Sequence, residues 1–183
     1  TAGFAGIAAG AMSMAVGEYV SVKSQNDIEE SDKKIEMQHL AIDPEGELEE
    51  LVHIYMNRGL SEKLAHEVAT AMHEKDALQA HLRDELGQFE HTKARPIQAA
   101  VASAIAFTSG GVIPLIGALV VSDSNQVTAI LVFTAFGLLA TGVISARIAS
   151  SPIPKTVLRI FAGGALGVII TAGIGGLLGM TGI

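Results

Sequence analysis

The sequence predicts an all-α fold, a polytopic membrane helix bundle that carries a three-helix extramembrane insert. Three observations predict it. Charge is segregated. The chain has 183 residues, 49% hydrophobic and 17% charged, against about 25% charged in an ordinary soluble domain. Yet nine of its 12 Lys and Arg, 17 of its 19 Asp and Glu, and all six His fall between residues 23 and 95. Four stretches outside that segment approach or exceed the roughly 20 apolar residues that a helix needs to cross a bilayer. Inside it, apolar residues recur at helical spacing. The net charge of −7 thus divides into an acidic insert of −8 and a remainder of +1.

The same arithmetic excludes several classes. Such hydrophobicity is incompatible with a disordered chain. With no Cys, disulfide scaffolds and thiolate-held zinc or iron–sulfur sites are ruled out. An acidic polar segment does not suit nucleic acid.

The first span covers residues 1–22 and holds one charge, Glu18. Thr1 lies within this apolar run, with no initiator Met, basic n-region or cleavage motif. The run does not read as a signal peptide, and further sequence is expected upstream. The insert, residues 23–95, reads as three helices. The first continues out of the span to about Leu40. Asp43-Pro44 starts the second, with Asp as N-cap and Pro at the first helical position. Its apolar set is Leu48, Leu51, Val52, Tyr55 and Met56, and Gly59 closes it. Ser61 starts the third, with the stripe Leu64, Val68, Ala71, Met72, Leu78, Leu82, Leu86 and Phe89.

Residues 96–183 hold three more spans, at about 96–121, 126–146 and 158–181. Ser122-Asp123-Ser124-Asn125 makes a tight hairpin without Lys or Arg. The segment 147–159 carries Arg147, Lys155 and Arg159, is broken by Pro152 and Pro154, and reads as cytoplasmic by the positive-inside rule. Counting back puts the insert on the same side, in agreement with Lys23, Lys93 and Arg95. Gly6-x-x-x-Gly10, Gly163-x-x-x-Gly167 and Gly175-x-x-x-Gly179 offer faces for close helix approach. Gly110-Gly111 with Pro114 is expected to kink the second span, for packing or to line a pathway.

Two groups of residues could carry chemistry. Glu18 is an ionisable group within a span, the mark of a functional site, or it snorkels from about one turn below the boundary. Met14 stands one turn before it and offers a soft thioether. In the insert, acid and imidazole pairs share helical faces: Glu36 with His39, Glu47 with Glu50, Glu50 with His53, and His81 with Glu85. Converging pairs of this kind suit divalent ions, and imidazole favours Fe²⁺, Mn²⁺, Co²⁺ or Zn²⁺ over Ca²⁺ or Mg²⁺. The spacing equally fits a solvated acidic face. Metalloprotease, EF-hand and P-loop motifs are all incomplete.

Gly10-Ala-Met-Ser-Met-Ala-Val-Gly-Glu-Tyr-Val-Ser-Val22 resembles the vacuolar iron transporter (VIT) family. The resemblance continues through Ser24-Gln25-x-Asp27, Pro44-Glu45-x-Glu47-Leu48-x-Glu50-Leu51 and Asp84-Glu85-Leu86-Gly87 and covers the chain. It implies five spans, the first lying upstream of Thr1, and a homodimer with a pathway between subunits. It also implies proton-coupled export of Fe²⁺ from the cytoplasm, through a vacuolar membrane in plants and fungi or the bacterial cell membrane. Met14 and Glu18 match its pathway residues. Glu36 and His39, Glu47 and Glu50, and His81 and Glu85 match its metal-collecting positions. At His81 and Leu82 plant members carry two Met, and at His39 the family carries a carboxylate. These exchanges keep Fe²⁺ or Mn²⁺ as the expected substrate and leave Zn²⁺ and Co²⁺ open. Two further readings come from the residues alone. One is a membrane-anchored ferritin-like di-iron protein, from Glu36-x-x-His39 and Glu50-x-x-His53. The other is a non-transporting scaffold whose acidic insert binds a protein partner.

Overall fold

The computed structural model describes residues 1–89, 94–121 and 123–179, and among these it is all-helical. The helices are α1 (Ala2–Ile42), α2 (Pro44–Asn57), α3 (Glu62–Asp84), α4 (Pro96–Val120), α5 (Gln126–Ile148) and α6 (Ile153–Gly179). A 3₁₀ turn, Asp123–Asn125, precedes α5. Lys93, Ser122 and the last residues expected for the final span lie outside the described residues. Among the described residues, four helices are long and apolar enough to cross a membrane: α1, α4, α5 and α6. The chain is an integral membrane protein.

It divides into two compact units, one of residues 1–12 with 104 onward, the other of residues 13–103. In the first, helices pack in chain order. Ile7 of α1 meets α4 at Gly111, and Ile113 of α4 meets α5 at Gly137. Two approaches are backbone to backbone: a Cβ at Gly117 would lie 2.9 Å from Ala129 O, and one at Gly142 would lie 3.0 Å from Val157 Cα. Of the Gly-x-x-x-Gly faces expected from the sequence, one makes a close approach: Gly10 of α1 lies against the Phe107 ring of α4. At Gly6, Gly163, Gly167, Gly175 and Gly179, by contrast, no atom of the described residues lies within 4 Å of where a Cβ would stand. Gly117→Ala is therefore expected to destabilise the bundle by about 1–3 kcal/mol through overpacking, read as a lower melting temperature in detergent, while Gly163→Ala leaves it unchanged.

Helix α4 runs through Gly110, Gly111 and Pro114 without a break in its helical assignment. Helix α6 begins at Ile153, earlier than the sequence suggested, because Pro154 sits in the first turn, where no intrahelical N–H bond is lost. The turn before it is a Schellman closure built on Ser150 at φ 50°, with Ser150 N–H bonding Arg147 O and Ser151 N–H bonding Ala146 O.

In the second unit, α1 continues without interruption to Ile42, close to the end expected near Leu40. Asp43 caps α2 by accepting from Gly46 N–H at 2.9 Å, with Pro44 next to it. Gly59, at φ 99°, closes α2: its N–H bonds Met56 O, and Leu60 N–H bonds Tyr55 O. Ser61 precedes α3 as expected but makes no side-chain cap bond.

Helix α3 departs from the sequence reading in two ways. It is broken at Asp76 (φ −168°, ψ 92°), whose carboxylate accepts from Gln79 N–H at 3.0 Å and so caps a second helical piece. Its buried stripe is also only in part the expected one, with Leu82 buried and Val68 and Met72 against the core as expected. Ala65, Ala69 and Ala80 join Leu51, Val52 and Tyr55 in the core, flanked by Val68 and Met72, whereas Leu64, Leu86 and Phe89 are exposed. Small residues let α3 lie close against α2, and the larger Leu64 turns outward.

Candidate metal centre

Three helices bring one donor each to a common point. Glu36 on α1, Glu47 in the first turn of α2 and His81 near the end of α3 place ligand atoms within 4.8 Å of one another. Each position follows from local structure. Glu36 lies on the α1 face turned inward and is 4% exposed. The Asp43-Pro44 start sets the register of α2 and hence of Glu47. The restart of α3 at Asp76 sets that of His81, which is fully buried.

The imidazole is the hub. His81 Nδ1 lies 3.1 Å from Glu36 Oε1, 3.7 Å from Glu47 Oε2 and 3.2 Å from Glu85 Oε2. One ring nitrogen carries at most one proton, so it can donate to one of these carboxylates only. Glu36 Oε1 and Glu47 Oε2 are buried without a hydrogen-bond partner among the described residues. Burial pushes the Glu36 carboxyl above its ordinary range; His81 works against this, Glu85 and Glu47 add to it, and His39 also opposes it. Crowded, desolvated carboxylates beside an imidazole form a donor set for a hard or borderline divalent cation, which would satisfy all of them at once.

The other expected residues sit differently. Glu85 joins through His81, from the solvent side of the cluster. His39 is exposed, with Nδ1 3.8 Å from Glu47 Oε1, at the rim of the cluster. Glu50 is exposed and outside it. His53 pairs with Glu49 at 3.8 Å, one turn away, where the sequence suggested Glu50. The two Glu-x-x-His pairs therefore do not converge on one centre, as a ferritin-like site would require. Met14 and Glu18 lie one turn apart on α1, both exposed.

The model of the VIT family matches residues 1–176. The chain belongs to the VIT family. It is 42% identical over 175 residues to a protein named vacuolar iron transporter from Acanthamoeba castellanii, covering 95% of this chain and 67% of that one. It is 31% identical over 179 residues to vacuolar iron transporter homolog 1 of Arabidopsis thaliana, covering 97% and 66%. It is 33% identical over 145 residues to vacuolar iron transporter 1 of the same plant, covering 78% and 58%. The chain thus spans about two thirds of the length of most of these VIT-family relatives.

Sequence reasoning missed three neighbours of the centre. Asp84 ties α2 to α3: it accepts from Tyr55 Oη at 2.8 Å and Arg58 Nη1 at 2.6 Å, and it pairs with Arg83. Asp76 breaks α3, and Asp76-x-x-Gln79 is a capping pattern that could have been read as a helix start. His73 packs beside His81, with ring centroids 6.3 Å apart. Its position follows from the break at Asp76 and from no periodicity.

Proposed function

We propose that this VIT-family chain forms the metal-collecting insert and most of the membrane pathway of a transporter, and not an enzyme. It exports divalent transition metal from the cytoplasm in exchange for protons. Fe²⁺ is the principal substrate and Mn²⁺ a second, with Zn²⁺ and Co²⁺ also compatible with the donor set. The observation that carries this reading is the meeting of Glu36, Glu47 and His81 from three helices, with Glu85 beside them, in a chain whose relatives are named vacuolar iron transporters.

In this reading Glu36, Glu47, His81 and Glu85 take the ion first, and His39 and Glu50 draw it in from the rim. Met14 and Glu18 receive it in the span. The thioether holds a dehydrating Fe²⁺ loosely. Glu18 neutralises the ion while it is bound and takes a proton once the ion has left, which couples the two fluxes. The lipid bilayer and a second copy of the chain are its structural partners, the pathway lying between two protomers. Arg147, Lys155 and Arg159 favour a cytoplasmic insert. The membrane is then the vacuolar membrane of a eukaryote or the inner membrane of a bacterium.

Glu18→Gln tests the pathway assignment. The substitution keeps the side-chain shape and removes the carboxyl that could carry the charge or take a proton. Fe²⁺ flux into proteoliposomes under a pH gradient is expected to fall at least tenfold, while Fe²⁺ binding to the insert is unchanged. Full flux through Glu18→Gln would refute the role given to this residue.

A further inference from the structure

His73 stands eight residues before His81, a spacing that a straight helix would stretch to about 12 Å along its axis. The break at Asp76 brings the two rings to a centroid separation of 6.3 Å, their planes 81° apart. His81 turns Nδ1 towards Glu36, Glu47 and Glu85, which leaves Nε2 on the far edge of the ring. That Nε2 is buried and has no hydrogen-bond partner among the described residues, and the same holds for His73 Nδ1. Two buried, unmatched nitrogens on neighbouring rings are unfavourable separately. Each is the complement of the other when one ring donates and the other accepts.

We propose that His73 is a positioning residue of the metal centre. A buried water between the rings accepts from His81 Nε2–H and donates to His73 Nδ1. This arrangement holds His81 in the tautomer whose Nδ1 lone pair faces the carboxylates, and it fixes the plane of the ring. Metal-bound histidines are held in this way through their second nitrogen, and loss of such a partner weakens metal binding by roughly 10- to 100-fold. The inference rests on the reading of Glu36, Glu47 and His81 as ligands. His73 itself does not touch the ion.

The test is anaerobic titration of the chain in detergent with Co²⁺, following the visible d–d absorption of the ion and its dissociation constant. His73→Phe keeps a ring and removes both nitrogens. It is expected to weaken Co²⁺ binding by about tenfold or more and to alter the absorption envelope. His73→Gln keeps a polar group within reach of the same water and is expected to restore most of the affinity. A role in packing alone predicts the reverse order, with Phe tolerated and Gln not. Wild-type affinity and spectrum in His73→Phe, or an equal loss in His73→Gln, would overturn the proposal. If His73→Phe lowers the metal-free melting temperature, His73→Gln decides alone, with near-wild-type affinity supporting the proposal and a loss overturning it. Glu36→Gln is the control. A wild-type chain that binds no Co²⁺, or a Glu36→Gln variant that binds it as the wild type does, overturns the metal reading itself. Normal metal binding with an inert His73 overturns only the positioning role.

Discussion

Glu36→Gln is expected to weaken divalent metal binding by about 100-fold, about 2.7 kcal/mol, and at the same time to raise the neutral-pH melting temperature of the metal-free protein. The two effects have one cause. Glu36 is nearly fully buried, with an oxygen that has no hydrogen-bond partner among the described residues, and burial raises its carboxyl. Holding that carboxylate ionised without a cation opposes folding. The isosteric amide removes the charge together with the ligand. The sign with pH follows. A raised folded-state value means that the metal-free protein gains stability from Glu36 as pH falls towards the ordinary carboxylate range, and loses it as pH rises through the raised value. Metal binding runs the opposite way. It strengthens as pH rises, since protons compete with the ion for Glu36. Melting temperatures with and without Mn²⁺ across pH 5–8 (a conventional working range, roughly one to two units either side of an ordinary His) check both. The increment due to metal should grow with pH in the wild type and be small throughout in Glu36→Gln. A fall in metal-free stability on substitution would contradict the account.

Asp84→Asn is expected to cost the insert about 2 kcal/mol and to lower the melting temperature by several degrees. Burial alone would raise the Asp84 carboxyl, but hydrogen bonds from Arg83, Arg58 and Tyr55 outweigh it and hold the group at about 2. The Arg58 guanidinium also donates to Asp84 O at 2.5 Å, so the carboxylate and backbone together clamp the end of α2 to the end of α3. A depressed value gives the opposite linkage to that of Glu36. The stabilisation is complete above the ordinary Asp value of 3.8 and is lost as pH falls through about 2. Wild type and Asp84→Asn should differ most near neutrality and converge in strong acid. Asp84 is next to Glu85 in sequence, so the substitution should also weaken metal binding indirectly, by loosening the turn that carries Glu85. An undiminished melting temperature in Asp84→Asn would show that the clamp contributes nothing.

What could be read from the sequence were features fixed by local chemistry. Asp43-Pro44 starts α2 and Gly59 ends it because capping and positive φ are properties of single residues. The four apolar spans follow from length and charge. Glu36, Glu47 and His81 could be nominated from their spacing and the family resemblance, but spacing also nominated Glu50 and His53, which the fold leaves exposed. Which candidates converge depends on rotations between helices, and periodicity within one helix does not encode these. The break at Asp76 shows the limit. Apolar residues continue on either side of it, so the pattern reads as one helix, and a single capped residue resets the phase of all that follows, His81 included. Of the glycine faces only Gly10 is closely approached among the described residues, for a related reason. Small-residue spacing marks where a helix can be approached, whereas the approaches at Gly117 and Gly142 depend on which neighbour arrives.

The central claim is that this VIT-family bundle moves divalent iron collected at Glu36, Glu47 and His81. Its most direct test is Fe²⁺ flux into proteoliposomes, with the insert facing the Fe²⁺ and the opposite compartment acidic. The account predicts flux well above that of protein-free vesicles, collapse of that flux when the pH gradient is dissipated, and a much higher Fe²⁺ concentration for half-maximal flux in Glu36→Gln. Flux no greater than in protein-free vesicles would contradict it.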